Sequence, residues 1–92
     1  MMNADTKTLV ARRLSRIEGQ VRGVAQMVQQ DRYCIDVVTQ VRAARAALAK
    51  IDEIILADHL AICVEEAIIS GDPAKQREKV AELIQVFSKS DR

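Results

Sequence analysis

"RAARAALA", residues 42–49, decides the fold. Its residues are good helix formers with mostly small side chains. Outward from it the pattern stays helical in both directions. Val37, Val38 and Val41 before it, and Leu48, Ile51, Ile55 and Ile62 within and after it, form one apolar series. Gly71 stops the series, because glycine takes the left-handed C-cap conformation without a Cβ penalty. Asp31 reads as the N-cap that opens it. The spacing predicts one long helix over about residues 32–70.

Each flank predicts a further helix. Val10, Leu14, Ile17, Val21, Val24 and Val28 recur at steps of four and three, a seven-residue seam with Asp5 as its N-cap. Gly19 and Gly23 lie inside that pattern, and each costs about 1 kcal/mol of helix propensity. They are expected to mark a close helix contact. After the break, Asp72 and Pro73 supply an N-cap and a proline at the first helical position. The third helix is expected over 73–88, with Val80, Leu83, Ile84 and Phe87 turned inward. No strand signal, repeat or low-complexity stretch is present. The expectation is an all-α chain of three helices with a long middle one, forming a single domain over 1–92.

Nearly half of the 92 residues are apolar, but the aromatics are only Tyr33 and Phe87. Small apolar side chains bury little area each, and a short chain buries a small share of its surface. A subunit of an oligomer is therefore expected. "MMNADTKTLV" opens polar, without the apolar core of a secretory leader, and no run of roughly 18 apolar residues exists. From these features the chain is expected in the cytoplasm, without membrane association and with its two cysteines reduced. The net charge of +1 hides an asymmetry. Residues 1–50 carry nine bases against four acids, and the remainder five bases against nine acids. A basic half can meet a polyanion even in a nearly neutral protein.

The chemistry-bearing residues are Cys34, His59 and Cys63. His59 and Cys63 are four apart and share a helix face. Cys34 lies 25 residues before His59, about 37 Å away along a continuous helix. One chain cannot bring the three together. Two copies of the helix can, if they pair antiparallel about a two-fold axis with the crossing near residue 47 or 48. Ala44 and Ala47 would let the backbones approach there, and symmetry yields two identical sites. Two thiolates and an imidazole form a soft set that favours Cu(I); zinc is possible with a fourth ligand. Cys34, three residues after the Asp31 cap, would sit at the positive end of a helix, which suits a thiolate and makes it reactive. An inert buried cysteine and a hydrogen-bonding histidine are the plainer readings of the same residues.

On the basic half, Arg13 and Arg16 share a helix face, and Arg42, Arg45 and Lys50 form a second stretch beside the proposed crossing. DNA phosphates are one partner for them. A solvated face, or pairing with the acids of the second helix, is the other reading. "HLAIC" lacks the glutamate of a zinc-protease helix and no Ser/His/Asp set can be drawn, so an enzyme is not expected.

"RRLSRIEGQVRGV", "DRYCIDVVTQVRAARAAL" and "DHLAICVEEAIISGD" together resemble the CsoR/RcnR family of bacterial metal-responsive repressors. The resemblance covers about residues 9–88. It implies an all-α antiparallel dimer with a four-helix core, assembling into a homotetramer, that binds operator DNA without a helix-turn-helix and releases it when its inducer binds. Cys34, His59 and Cys63 stand at the spacing of the copper-sensing members. The resemblance draws Cys34 from one subunit and His59 with Cys63 from its partner. Tyr33 and Glu82 match outer-shell residues, and Arg13 and Arg16 match basic positions linked to DNA. Glu53 stands where some copper members carry a base. Nickel and cobalt members add an N-terminal histidine, which is absent here, and zinc or nickel binding in vitro remains open. Formaldehyde sensors have an acid at the position of Cys63, and persulfide sensors lack the histidine. A thiol-switch repressor, a Ni/Co/Zn-responsive repressor and a metal buffer or chaperone are the alternatives.

Overall fold

The structure, a computed structural model, describes residues 2–89. Among these the elements are three helices: α1 (Ala4–Gln29), α2 (Cys34–Ser70) and α3 (Pro73–Lys89). The chain divides into two compact units, one ending at Asp58 and the other beginning at His59, so the division falls within α2.

In the first unit α1 starts two residues earlier than the Asp5 reading allows. Asn3 is the N-cap; its side chain accepts the Thr6 backbone N–H at 2.9 Å, and Asp5 lies in the first turn. Asp5 there still favours the positive helix end. Asn3 does more than cap. Its backbone N–H donates to Asp58 Oδ2 at 3.1 Å, and its side-chain amide donates to Asp58 Oδ1 at 3.2 Å. Thr6 Oγ1 donates to the same Oδ1 at 3.2 Å. One carboxylate thus ties the start of α1 to α2. Asp58→Ala is expected to lower the unfolding free energy by about 1.5–3 kcal/mol, the usual range for hydrogen bonds to a charged group, as read by thermal or urea unfolding.

Asp31 is not the N-cap of α2. It sits at φ 54°, in the left-handed region, just past the end of α1. Its N–H donates to Val28 O at 3.2 Å, and the Arg32 N–H donates to Met27 O at 3.0 Å. This pair of bonds is a Schellman closure, which ends a helix with one left-handed residue. Aspartate tolerates that conformation better than most residues. The first α2 bond runs from the Val37 N–H to Tyr33 O, so Tyr33 holds the capping position and Cys34 is the first helical residue.

The core of this unit is Val10, Ile17 and Ile51, with Ala47, Ile54 and Ile55 packed against it. Ala44 is buried as well. Ala47 therefore serves contact between α1 and α2 within one chain, a use of the alanine stretch that its spacing did not reveal. The face left open on α2 carries Val38, Val41 and Leu48, and on α1 Leu14, Val21 and Val28. Half of the α1 seam is thus uncovered. The two interior glycines make no close helix contact within the chain: a Cβ on Gly23 would meet nothing within 4 Å, and one on Gly19 only the Arg22 guanidinium at 4.0 Å.

In the second unit the break follows the sequence reading. Gly71 takes φ 63° and its N–H donates to Ile68 O at 3.2 Å. Asp72 Oδ1 accepts the Ala74 N–H at 2.9 Å, and Pro73 opens α3. The expected inward face of α3 is not closed, however. Val80, Ile84 and Phe87 are exposed, as are Ile68 and Ile69 at the end of α2. Periodicity placed these residues on common faces, and those faces stay largely exposed. No helix among the described residues is long and apolar enough to cross a membrane.

Candidate metal centre

His59 and Cys63 lie one turn apart on α2, as their spacing requires. Cys63 Sγ is 3.6 Å from His59 Nδ1 and 3.4 Å from Nε2. Cys63 is buried, only 4% exposed, while His59 is half-buried. The hollow beside Cys63, about 300 Å³, is lined also by Ser70, Lys75 and Lys79.

Glu82 on α3 reaches the same histidine, with Oε1 3.4 Å from His59 Nε2. Its other oxygen, Oε2, accepts from Lys79 Nζ at 3.4 Å. These contacts hold the Glu82 carboxyl below its ordinary range, first through the Lys79 hydrogen bond and then through that of His59. Lys79 is raised in turn by Glu82. An ionised Glu82 can only accept, so a neutral His59 donates from Nε2 and keeps its lone pair on Nδ1. That leaves Nδ1 as the ring nitrogen able to accept a metal ion. An ion about 2.3 Å from a thiolate and about 2.0 Å from an imidazole, at tetrahedral to trigonal angles, spans a sulfur–nitrogen gap of about 3.5–3.7 Å. The observed 3.6 Å between Sγ and Nδ1 fits. The donor set is also right for a soft ion, one thiolate and one imidazole.

Two donors do not complete a site. Among the described residues no group of three or more His, Cys, Asp or Glu side chains is arranged to hold an ion. Glu82 faces Nε2 rather than Nδ1, away from the nitrogen left open. Cys34 opens α2 in the first unit and is exposed, and Tyr33 before it is 68% exposed. The role of Lys79 was missed from the sequence, although its three-residue spacing from Glu82 is a helix-pair signal. The Asp58 clip, directly before His59, had no such signal.

The family model for "Metal-sensitive transcriptional repressor" matches residues 6–89. The chain belongs to this family of metal-sensitive transcriptional repressors. The match spans both compact units and includes Cys34, His59, Cys63 and Glu82. Membership in a repressor family agrees with the expectation that the chain is not an enzyme. Among its relatives, the copper-sensing transcriptional repressor CsoR of Bacillus subtilis (strain 168) is 45% identical over 83 residues, covering 90% of this chain and 79% of that protein. Two solved structures share the all-α fold. The copper-sensing repressor CsoR with Cu(I) from Geobacillus thermodenitrificans NG80-2 aligns with a TM-score of 0.78 at 37% identity, over 97% of this chain and 93% of the other. The nickel-responsive transcriptional regulator InrS aligns with a TM-score of 0.78 at 38% identity, over 90% of each chain.

The basic residues of this repressor differ in how free they are. Lys50 is paired with Glu53 at 3.4 Å, as the plainer reading of that stretch held. Arg16, Arg42 and Arg45 are exposed and form no ion pair among the described residues. Arg13 is half-buried, and its Nε has no hydrogen-bond partner.

Proposed function

We propose that this repressor holds operator DNA in its metal-free form and releases it when Cu(I) binds a site shared between two subunits. His59 Nδ1 and Cys63 Sγ of one subunit provide two ligands, and Cys34 of the partner subunit provides the third. The observation that carries the reading is the half-site: a soft nitrogen–sulfur pair at a chelating distance, held by Glu82 and open to one further ligand. Tyr33 and Glu82 are the outer-shell residues, and bound Cu(I) supplies the bond that joins the two subunits' ligands. The two units of the chain act as one sensing domain in a cytoplasmic homodimer or homotetramer. The open apolar stripe of Val38, Val41 and Leu48 supports this assembly, since each such residue gains about 1 kcal/mol or more when covered. Arg13, Arg16, Arg42 and Arg45 supply the phosphate contacts, with Lys50 the least available of the basic set.

Release requires that the metal-bound assembly bind DNA more weakly than the metal-free one. Glu82 offers a route for that difference, because it links the ring of His59 on α2 to Lys79 on α3. Glu82→Gln is expected to weaken Cu(I) binding about 10–100-fold, the usual effect of losing a ligand's orienting partner. Metal-free DNA binding should stay unchanged in that variant. The function itself is tested by fluorescence anisotropy of a duplex enriched from random sequence by the metal-free protein. Anaerobic Cu(I), at one equivalent per subunit, should lower the affinity for that duplex by at least tenfold. DNA binding indifferent to Cu(I) would exclude the copper reading.

A second reading is supported by InrS, whose structural similarity to this chain equals that of the Cu(I)-bound CsoR. Release by Ni(II) rather than Cu(I) in the same titration would select it. Release by persulfide or formaldehyde without metal, and without dependence on His59, would select a thiol switch through Cys34.

A further inference from the structure

Cys63 shares its hollow of about 300 Å³ with Glu66 and Ser70 of α2 and with Lys75, Glu78 and Lys79 of α3. That volume stands at the lower end of the range for small-molecule sites, about 300–1,000 Å³. Steps of three and four residues put Cys63, Glu66 and Ser70 on one face of α2, and Lys75, Glu78 and Lys79 on one face of α3. Some of these groups are committed elsewhere. Lys79 is held by Glu82, and the Ser70 hydroxyl donates to Ala67 O at 2.7 Å. Lys75, Glu66 and Glu78 form no ion pair among the described residues. The rim therefore offers one free ammonium, two free carboxylates and a thiol. A simple anion would meet both carboxylates, and a simple cation would meet Lys75. A solute carrying both charges can pair with each. The thiol adds a third demand, because a thiolate favours a soft ion. The Cys63 thiolate is among the charges that raise Lys79, so the sulfur lies within electrostatic reach of this rim. His59 is absent from the lining, and what enters the hollow meets Cys63 first.

We propose that the hollow docks a low-molecular-weight thiol of the amino-acid class that carries Cu(I), and that Cys63 takes the ion from it. This rests on the Cu(I) reading above. Lys75 receives the carrier's carboxylate, and Glu66 and Glu78 receive its ammonium. The transfer is a ligand exchange with no change of oxidation state. A bond forms between Cu(I) and Cys63 Sγ as the bond to the carrier sulfur breaks, and the Cys63 proton passes to the departing thiolate. The ion then gains His59 Nδ1. Lys75, Glu66 and Glu78 govern the rate of loading and hold no metal afterwards.

The test compares the full-length wild type with Lys75→Gln and with the double variant Glu66→Gln/Glu78→Gln, each checked for native helix content by circular dichroism. All three positions are exposed. Reduced protein is mixed anaerobically with the Cu(I) complex of L-cysteine, of cysteamine, which lacks the carboxylate, or of 3-mercaptopropionate, which lacks the ammonium. Transfer is followed by stopped-flow ultraviolet absorbance, with each carrier's own spectrum subtracted. Lys75→Gln should slow loading from L-cysteine about fivefold, the upper end for an exposed ion pair, and leave loading from cysteamine unchanged. The double variant should slow loading from L-cysteine and cysteamine and spare 3-mercaptopropionate. Equilibrium Cu(I) affinity should stay at the wild-type value in both. A second arm needs no copper: amide NMR shifts around the hollow of the metal-free protein should saturate with S-methyl-L-cysteine, and fail to do so in Lys75→Gln. Equal loading rates and equal shifts in wild type and Lys75→Gln overturn the docking proposal. A wild type that binds no Cu(I) at equilibrium instead sinks the copper reading, and the metal-free shifts still decide whether the hollow docks the zwitterion.

Discussion

Cys34→Ala keeps metal-free DNA binding and loses release by Cu(I). The substitution leaves His59 and Cys63 in place, 3.6 Å apart between Nδ1 and Sγ, so a weak two-ligand site survives. Removing an orienting neighbour of a ligand costs about 10–100-fold in metal affinity, and removing the ligand itself costs more. A fall in Cu(I) affinity above about 100-fold is therefore expected, read anaerobically against a competing chelator. Stability should change little, because Cys34 is exposed and caps nothing. The arginines proposed to meet DNA are elsewhere, so the metal-free affinity should match wild type. Release at the wild-type copper level in this variant would contradict the shared site.

Arg16→Ala weakens DNA binding and flattens its salt dependence. Arg16 is exposed, lies on the same face of α1 as Arg13, and has no ion pair among the described residues. In a symmetric assembly each substitution removes at least two phosphate contacts. Each contact contributes about −0.9 to the slope of log affinity against log salt, so the slope should fall in magnitude by about two. At about 0.15 M salt the same term gives a loss of roughly 30-fold. Lys50→Ala is the internal comparison. Its side chain is held by Glu53 at 3.4 Å, and its loss should change the slope by less than one contact. Equal effects of the two substitutions would remove Arg16 from the interface with DNA.

The helices were readable because their signals are local. Gly71, Asp72 and Pro73 act within one turn, and each does in the structure what its backbone chemistry dictates. The start of α2 was misread because aspartate suits two jobs. As an N-cap it uses its side chain; here it uses its tolerance of positive φ, and Tyr33 caps α2 through its backbone. Asn3 escaped notice because its cap is reinforced by Asp58, 55 residues away, and no local pattern encodes that pair. The contact of the alanine stretch with its own chain was not foreseen for a similar reason. Periodicity tells which residues share a face, and it does not tell which neighbour covers that face. Ala47 meets α1 of its own chain, while Val38, Val41 and Leu48 are left open. At the metal centre the four-residue spacing of His59 and Cys63 was enough to foresee their proximity. The link from Glu82 to Lys79 was not foreseen. Glu82 itself entered through the family resemblance, since a contact between α2 and α3 leaves no trace in the spacing of either helix.

The most direct test of the shared site mixes two inactive subunits. One carries Cys34→Ala and keeps His59 and Cys63. The other carries Cys63→Ala and keeps Cys34. Each alone should hold no tightly bound Cu(I). Co-refolded in equal amounts, half of the dimers pair the two kinds, and each of these regains one complete site. A two-fold arrangement then predicts about 0.25 tightly bound Cu(I) per subunit, against about one per subunit in wild type. Recovery of that fraction establishes a site built from two chains. No recovery in the mixture, with mixed dimers verified by mass spectrometry, would contradict it.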